Sequence, residues 1–183
     1  MKLVLASKSP RRSEILKNAG FDFIIRTADA DETIAEGTNP EDAVVMLAAR
    51  KAMAVERNKE EIVLGADTIV VLDDKILGKP KDREDAFNML RSLSGRVHSV
   101  FTGVCAISDK CSMTFAEETK VEFYPLTDEE INDYIDSNDC YDKAGAYGIQ
   151  GLASKFIRGI NGDYFNVVGL PISSVYKKIL KNQ

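Results

Sequence analysis

Histidine is almost absent from this chain: His98 is the only one among 183 residues. That scarcity excludes catalytic triads and multi-histidine metal centres, and it leaves acid–base or metal chemistry to carboxylates. Cysteine is scarce too. Cys105, Cys111 and Cys140 are odd in number and form no C-x-x-C pair, which argues against a disulfide framework or a structural zinc site. They read as the reduced thiols of a cytoplasmic protein. No apolar run approaches the roughly 20 residues needed to cross a bilayer. Only Lys2 precedes the first apolar segment, so no signal peptide is expected. Positive charge is in deficit: a net charge of −5 and a pI near 5.0 argue against general nucleic-acid or membrane-surface binding.

What remains is an ordinary globular composition, 44% hydrophobic, in a chain long enough to build its own core. Residues 1–183 are expected to form a single domain. Strand and helix patterns alternate at first. Leu3 to Ala6 reads as a buried strand, and Pro10 opens a helix with Ser9 in the N-cap position and Gly20 at its end. Phe21 to Ile25 alternates as a second strand. Asn39 and Pro40 start a long helix whose apolar face is Ala43, Val44, Leu47, Ala48 and Ala52. Ile62-Val63-Leu64 is a central strand that runs into Gly65-Ala66-Asp67-Thr68 and resumes at Ile69.

Asp82 caps a further helix. Val97–Ile107 and Met113–Phe123 form a long hairpin pattern, and Thr127 to Glu130 is a capping box. The glycine-rich segment Asp142–Gly151 is expected to be a loop. The Asn161-Gly162 pair predicts a type I′ turn between two short strands. A last helix is expected from about Ile172 to Leu180. Together these elements imply an α/β fold with a mixed, elongated sheet flanked by helices.

Several segments have the chemistry of a site. Ser7-Lys8-Ser9-Pro10-Arg11-Arg12 places two arginines in the first turn of a helix, where the dipole disfavours cations. With the N–H groups of the helix end and the hydroxyls of Ser7 and Ser9, they suit a phosphate anion. Asp67, preceded by an apolar strand, is expensive to leave unpaired. It is either a reacting or metal-binding carboxylate or the cap of a bend between two strands.

Gly65 permits a ligand or a neighbouring backbone to come close. The acidic run Asp29, Asp31 and Glu32 offers oxygen ligands for Mg²⁺ or Mn²⁺. Lys79, between Gly78 and Pro80, is rigidly placed to face phosphate oxygens, and Arg50-Lys51 forms a second cationic pair. Gln150 can donate and accept together, as reading a base edge requires. His98 reads either as a substrate contact or as an ordinary edge-strand histidine.

The set Ala6 to Arg12, Gly65 to Thr68, Gly78-Lys79-Pro80, Asp142 to Gly151, Gly162-Asp163-Tyr164 and Gly169-Leu170-Pro171 resembles the Maf family over essentially the full length. Members are nucleoside triphosphate pyrophosphatases, and the name comes from a link to septum formation. The resemblance implies a fold related to inosine triphosphate pyrophosphatases, with a deep cleft between two lobes. It implies hydrolysis of a nucleoside triphosphate to the monophosphate and pyrophosphate with a divalent metal, Mg²⁺ or Mn²⁺.

Asp67 matches the family's proton acceptor. Arg12, Thr68 and Gln150 match positions tied to substrate choice in the branch acting on dTTP and UTP; a sister branch acting on 7-methyl-GTP differs there. Physically, Arg11, Arg12, Lys51 and Lys79 supply cations for a triphosphate, while Glu32 and Asp67 hold the metal. The alternatives are a nucleotide-binding regulator of cell division with incidental turnover, or a purine-directed pyrophosphatase. Cleaning of the nucleotide pool, modified pyrimidine nucleotides included, fits the same reading. The expected partner is a nucleoside triphosphate, and a homodimer is left open.

Overall fold

A computed structural model describes residues 1–181 of the protein. Its centre is one seven-stranded mixed sheet. Strand β1 (Lys2–Leu5) leads through helix α1 (Pro10–Asn18) to β2 (Phe23–Ile25), and helix α2 (Pro40–Met53) leads to β3 (Glu61–Leu72). Then come β4 (Lys75–Leu77), α3 (Arg83–Leu93), β5 (Val97–Ile107), β6 (Ser112–Phe123), α4 (Asp128–Asp136), β7 (Ile157–Asn161) and the short helices α5 (Tyr164–Val168) and α6 (Ile172–Val175). The strand order is β2-β1-β3-β5-β6-β7, with β4 added to β3. Strands β1, β2 and β3 run parallel, and the remaining pairings are antiparallel. The mixed sheet flanked by helices is the architecture that the sequence pattern implies.

The central strand creates the space for a site. Along one edge of β3, pairing with β1 ends at Leu5 and Leu64, and pairing with β4 begins only at Val70 and Leu77. Residues 65–69 therefore face an opening on that side, while the opposite edge stays paired with β5 throughout. The strand does not break at Gly65-Ala66-Asp67 but continues for 12 residues. Asp67 is thus not the cap of a bend. Because side chains alternate across a strand, Asp67 and Thr68 project from opposite faces at the same opening.

One face is covered by α2, and the reason is glycine. A Cβ on Gly65 would lie 2.3 Å from the carbonyl oxygen of Ala48, and one on Gly103 2.2 Å from that of Val44. The helix backbone rests directly on the strands, and its own Ala43, Val44, Ala48 and Ala52 are fully or nearly fully buried. Of the two readings of Gly65, a neighbouring backbone is the correct one here. The opposite face carries two core clusters. One groups Leu3, Leu5, Leu16, Leu64 and Leu170 around α1 and α6, and the other groups Leu90, Leu93, Val100, Phe123 and Tyr134 around α3 and α4.

Three local expectations are corrected. Asn161-Gly162 does not join two strands: β7 pairs with β6, and α5 follows. Asp163 caps that helix, its carboxylate accepting from the N–H of Phe165 at 2.8 Å, and Gly162 adopts a φ of 134° that departs from a type I′ turn. The expected last helix is α-helical only over Ile172–Val175 and widens to a π-turn at Tyr176–Leu180. Ser9 has N-cap backbone geometry but its side chain makes no capping bond; its backbone N–H donates to the Ser7 hydroxyl oxygen at 3.2 Å instead.

Candidate active site

At the opening beside β3 lies a cleft of about 760 Å³ between the two core clusters. The turn from β1 to α1 supplies Ser7, Lys8, Ser9, Arg11 and Arg12; the segment after β2 supplies Asp29 and Glu32; α2 supplies Lys51. Asp67 and Thr68 come from β3, Lys79 from the stretch after β4, and Asp142, Lys143, Tyr147 and Gln150 from the glycine-rich loop. Of the candidates named from the sequence, Ser7, Ser9, Arg11, Arg12, Glu32, Lys51, Asp67, Thr68, Lys79 and Gln150 line this one space, whereas Asp31, Arg50 and His98 do not. Its cations are Lys8, Arg11, Arg12, Lys51, Lys79 and Lys143, facing Asp29, Glu32, Asp67 and Asp142. An acidic chain has gathered a surplus of positive charge at one place, as a polyphosphate ligand requires.

On the α2 face, Lys51 is the hub. Its ammonium contacts the Asp67 carboxylate and lies 2.7 Å from Glu32. The seating of α2 on Gly65 is what brings a helix lysine to a strand aspartate. Lys51 and Asp67 are largely shielded from solvent, with side-chain exposures of 19% and 15%, whereas Glu32 is 60% exposed. The Lys51 hydrogen bond holds the Glu32 carboxyl below its ordinary pKa. Arg50, its neighbour on α2, donates instead to the backbone carbonyls of Asp31 and Thr33 at 3.1 and 2.7 Å, tying down the acidic segment. Lys79 has no carboxylate partner within salt-bridge distance among the described residues and is free to meet an anion.

On the other face, Arg12 is committed to the protein. Its Nε donates to the carbonyl of Gly169 at 2.8 Å, and its terminal nitrogens donate to the hydroxyls of Ser7 at 3.2 Å and Thr68 at 3.1 Å. Burial lowers the guanidinium pKa, and the charge of Asp67 opposes that effect. Arg12 therefore shapes the wall that carries Ser7 and Thr68. Across the mouth, Arg11 reaches Asp142 at 3.1 Å, and Asp142 takes a second cation, Lys143, at 2.7 Å. Burial works against ionisation of Asp142, but the hydrogen bonds from Lys143 and Arg11 outweigh it and its pKa is lowered. The sequence shows the paired charges of this loop, yet nothing in it signals that Asp142 would meet Arg11.

His98 fits neither sequence reading. It lies on β5, between β3 and β6 and so away from any sheet edge, and it is buried with Nε2 2.7 Å from the Tyr147 hydroxyl. Phe123 and Tyr147 pack edge-on against its ring. Its role is to hold Tyr147, hence the loop, from behind. Burial pushes its pKa down to about 4, while an unfolded histidine titrates near ~6.5. Between those values the unfolded chain binds a proton that the folded chain refuses. Stability is therefore full above about pH 6.5 and falls as the pH drops toward 4. Urea unfolding is expected to show the protein about 2 kcal/mol less stable at pH 5 than at pH 7, with most of that difference gone in His98→Gln.

A metal ion was expected at Glu32 and Asp67. Among the described residues no group of three or more His, Cys, Asp or Glu side chains is placed to hold one. Two carboxylates gathered on one ammonium do fit an ion of the Mg²⁺ type, which binds through one or two carboxylates and completes its shell with water and phosphate oxygens.

A family model described as Maf-like protein matches residues 2–182. The chain belongs to the Maf family. The dTTP/UTP pyrophosphatase of Thermoanaerobacter sp. (strain X514) is 52% identical over 187 residues, covering all of this chain and 97% of that protein. The dTTP/UTP pyrophosphatase of Bacillus cereus (strain G9842) is 49% identical over 179 residues, covering 97% and 94%. Among solved structures, the Staphylococcus aureus Ham1 protein superposes with a TM-score of 0.46 at 16% identity, covering 67% of this chain and 72% of that one. The Maf match spans every element that lines the cleft.

Proposed function

We propose that this Maf protein hydrolyses dTTP and UTP to the monophosphate and pyrophosphate in a metal-assisted reaction in the cytoplasm. The observation that carries the chemistry is a strand aspartate, Asp67, held by Lys51 inside a cationic cleft that contains no histidine. In the reaction a water oxygen joins phosphorus, the bridging P–O bond between the α- and β-phosphates breaks, and the water proton passes to Asp67. Lys51, Lys79 and Arg11 neutralise the charge that collects on the departing pyrophosphate. Ser7 and Ser9 donate hydroxyls at the N-terminus of α1, beside the amide groups of its first turn. Glu32 and Asp67 would hold a divalent ion, which supplies Lewis-acid charge when bound. The three cysteines are all free, in keeping with a reducing compartment, and no described helix is long and apolar enough to cross a membrane.

Specificity rests on Thr68, Gln150 and the wall built by Arg12. The uracil or thymine edge presents carbonyl acceptors on either side of one N–H. A side-chain amide and a hydroxyl can complement it, and a mismatched ring leaves their polar atoms unpaired. The purified protein assayed with Mg²⁺ or Mn²⁺ should turn over dTTP and UTP with higher kcat/KM than ATP, GTP, CTP or 7-methyl-GTP, and Gln150→Ala should narrow the gap. Binding with no pyrophosphate released would make the protein a nucleotide-binding regulator instead. A preference for purines would refute the pyrimidine assignment.

A further inference from the structure

A buried chain of hydrogen bonds behind the cleft determines the direction of the Thr68 proton. Thr102 faces Thr68 in register across the β3–β5 ladder and has no solvent exposure. Its Oγ1 lies 2.9 Å from the backbone carbonyl of Asn166, an atom that can only accept. The one proton of Thr102 is therefore committed to Asn166. The same Oγ1 lies 2.9 Å from Oγ1 of Thr68, so that contact must use the proton of Thr68. Arg12 donates to the Thr68 oxygen from the other side. Thr68 thus donates to Thr102, accepts from Arg12 and keeps one lone pair, and it lines the cleft.

The far end of the chain is anchored as well. The side-chain amide of fully buried Asn166 donates to the carbonyl of Val100 and to the hydroxyl of Thr119, each at 3.0 Å. Thr119 accepts from the N–H of Asp163 and donates to its carbonyl, again at 3.0 Å. Each proton between Asp163 and Arg12 has one direction open to it. Reversing the Thr68 hydroxyl would leave two buried oxygens facing each other without a hydrogen, a costly arrangement in a low-dielectric interior.

We propose that Thr102 is a positioning residue for substrate choice: by taking the Thr68 proton it makes Thr68 an obligate acceptor at the cleft. The matching ligand edge carries an N–H. The inference rests on the pyrimidine reading above and deepens it. Uracil and thymine present N3–H between two carbonyls, whereas cytosine presents a bare N3 lone pair. An acceptor at that point admits the first two and repels the third. It also ignores the C5 position, where thymine has a methyl group and uracil does not, so one site serves both bases.

The test compares kcat/KM for UTP and CTP in the wild type, Thr102→Val and Thr102→Ser. Valine removes the acceptor, so Thr68 can turn its proton to the cleft and meet cytosine N3. The UTP-over-CTP preference is expected to fall by about tenfold or more in Thr102→Val and to stay near the wild-type value in Thr102→Ser. The ratio measured within one preparation does not depend on how much of the protein is folded. A Thr102→Val variant that keeps the wild-type ratio, or a serine variant that loses it equally, would overturn the proposal.

If the valine variant yields no folded protein, the wild type is assayed with N3-methyl-UTP. That analogue should be turned over at least about a hundredfold less efficiently than UTP, and equal turnover would overturn the proposal. A wild type with no preference for UTP over CTP refutes the dTTP and UTP assignment itself, a result distinct from either variant outcome.

Discussion

Asp67→Asn is expected to cut turnover of dTTP and UTP by about a thousandfold or more, within the range that a positioned general base contributes. Asparagine keeps the shape of the side chain and its place on β3. It cannot take a proton from water, and it is a poor ligand for a hard divalent cation. The other titratable groups are engaged elsewhere: the one histidine is buried behind Tyr147 and held neutral, Glu32 is 60% exposed and paired with Lys51, Asp142 is held by Arg11 and Lys143, and Asp29 by Lys8. The fold should survive, because Lys51 keeps Glu32 at 2.7 Å and does not become an orphaned charge. Circular dichroism and a thermal melt close to wild type, together with lost pyrophosphate release, are the expected result. A folded variant with near-native turnover would refute the assignment of Asp67 as base.

Removal of divalent metal is expected to have an effect of similar size. A triphosphate brings several negative charges into a cleft whose cations are already partly engaged: Lys51 by Glu32 and Asp67, Arg11 by Asp142, Lys143 by Asp139 and Asp142. The chain's own positive charge is too little to screen the reacting phosphates alone. Assayed in excess chelator, the protein should form no product, and added Mg²⁺ or Mn²⁺ should restore activity. Glu32→Gln removes one of the two carboxylates at that point, so the metal concentration for half-maximal rate should rise about tenfold or more. Full activity in chelator would refute the metal's part in the reaction.

Local signals in the sequence carried far because they act over a few residues. The Asn39 and Asp82 caps, the Thr127–Glu130 capping box and the hairpin of β5 and β6 all stand where composition and spacing placed them. Where two local signals competed, the sequence alone was a poor judge. The Asn161-Gly162 pair favours a tight turn, but Asp163 next to it caps a helix, and the Thr119 hydroxyl clasps the Asp163 backbone from 44 residues away. The tertiary contact decided the outcome.

The residue types of the site were likewise legible: one histidine excludes most alternatives, and serines, arginines, an acidic run and a strand aspartate name a polyphosphate chemistry. Their division of labour was not. Arg11 and Arg12 are adjacent and chemically identical, yet one spans the cleft mouth to Asp142 while the other is buried against Gly169. Asp67 and Thr68 are adjacent too, and the two-residue period of a strand sends one to Lys51 and the other to Arg12. Sequence by itself determined most of the elements, the family and the inventory of charges, since those depend on nearest neighbours and on motif order. Only the tertiary structure decided which charges pair, that Gly65 admits a helix, and that Thr102 stands behind Thr68. Those facts depend on the packing of segments dozens of residues apart, and no local pattern encodes the meeting.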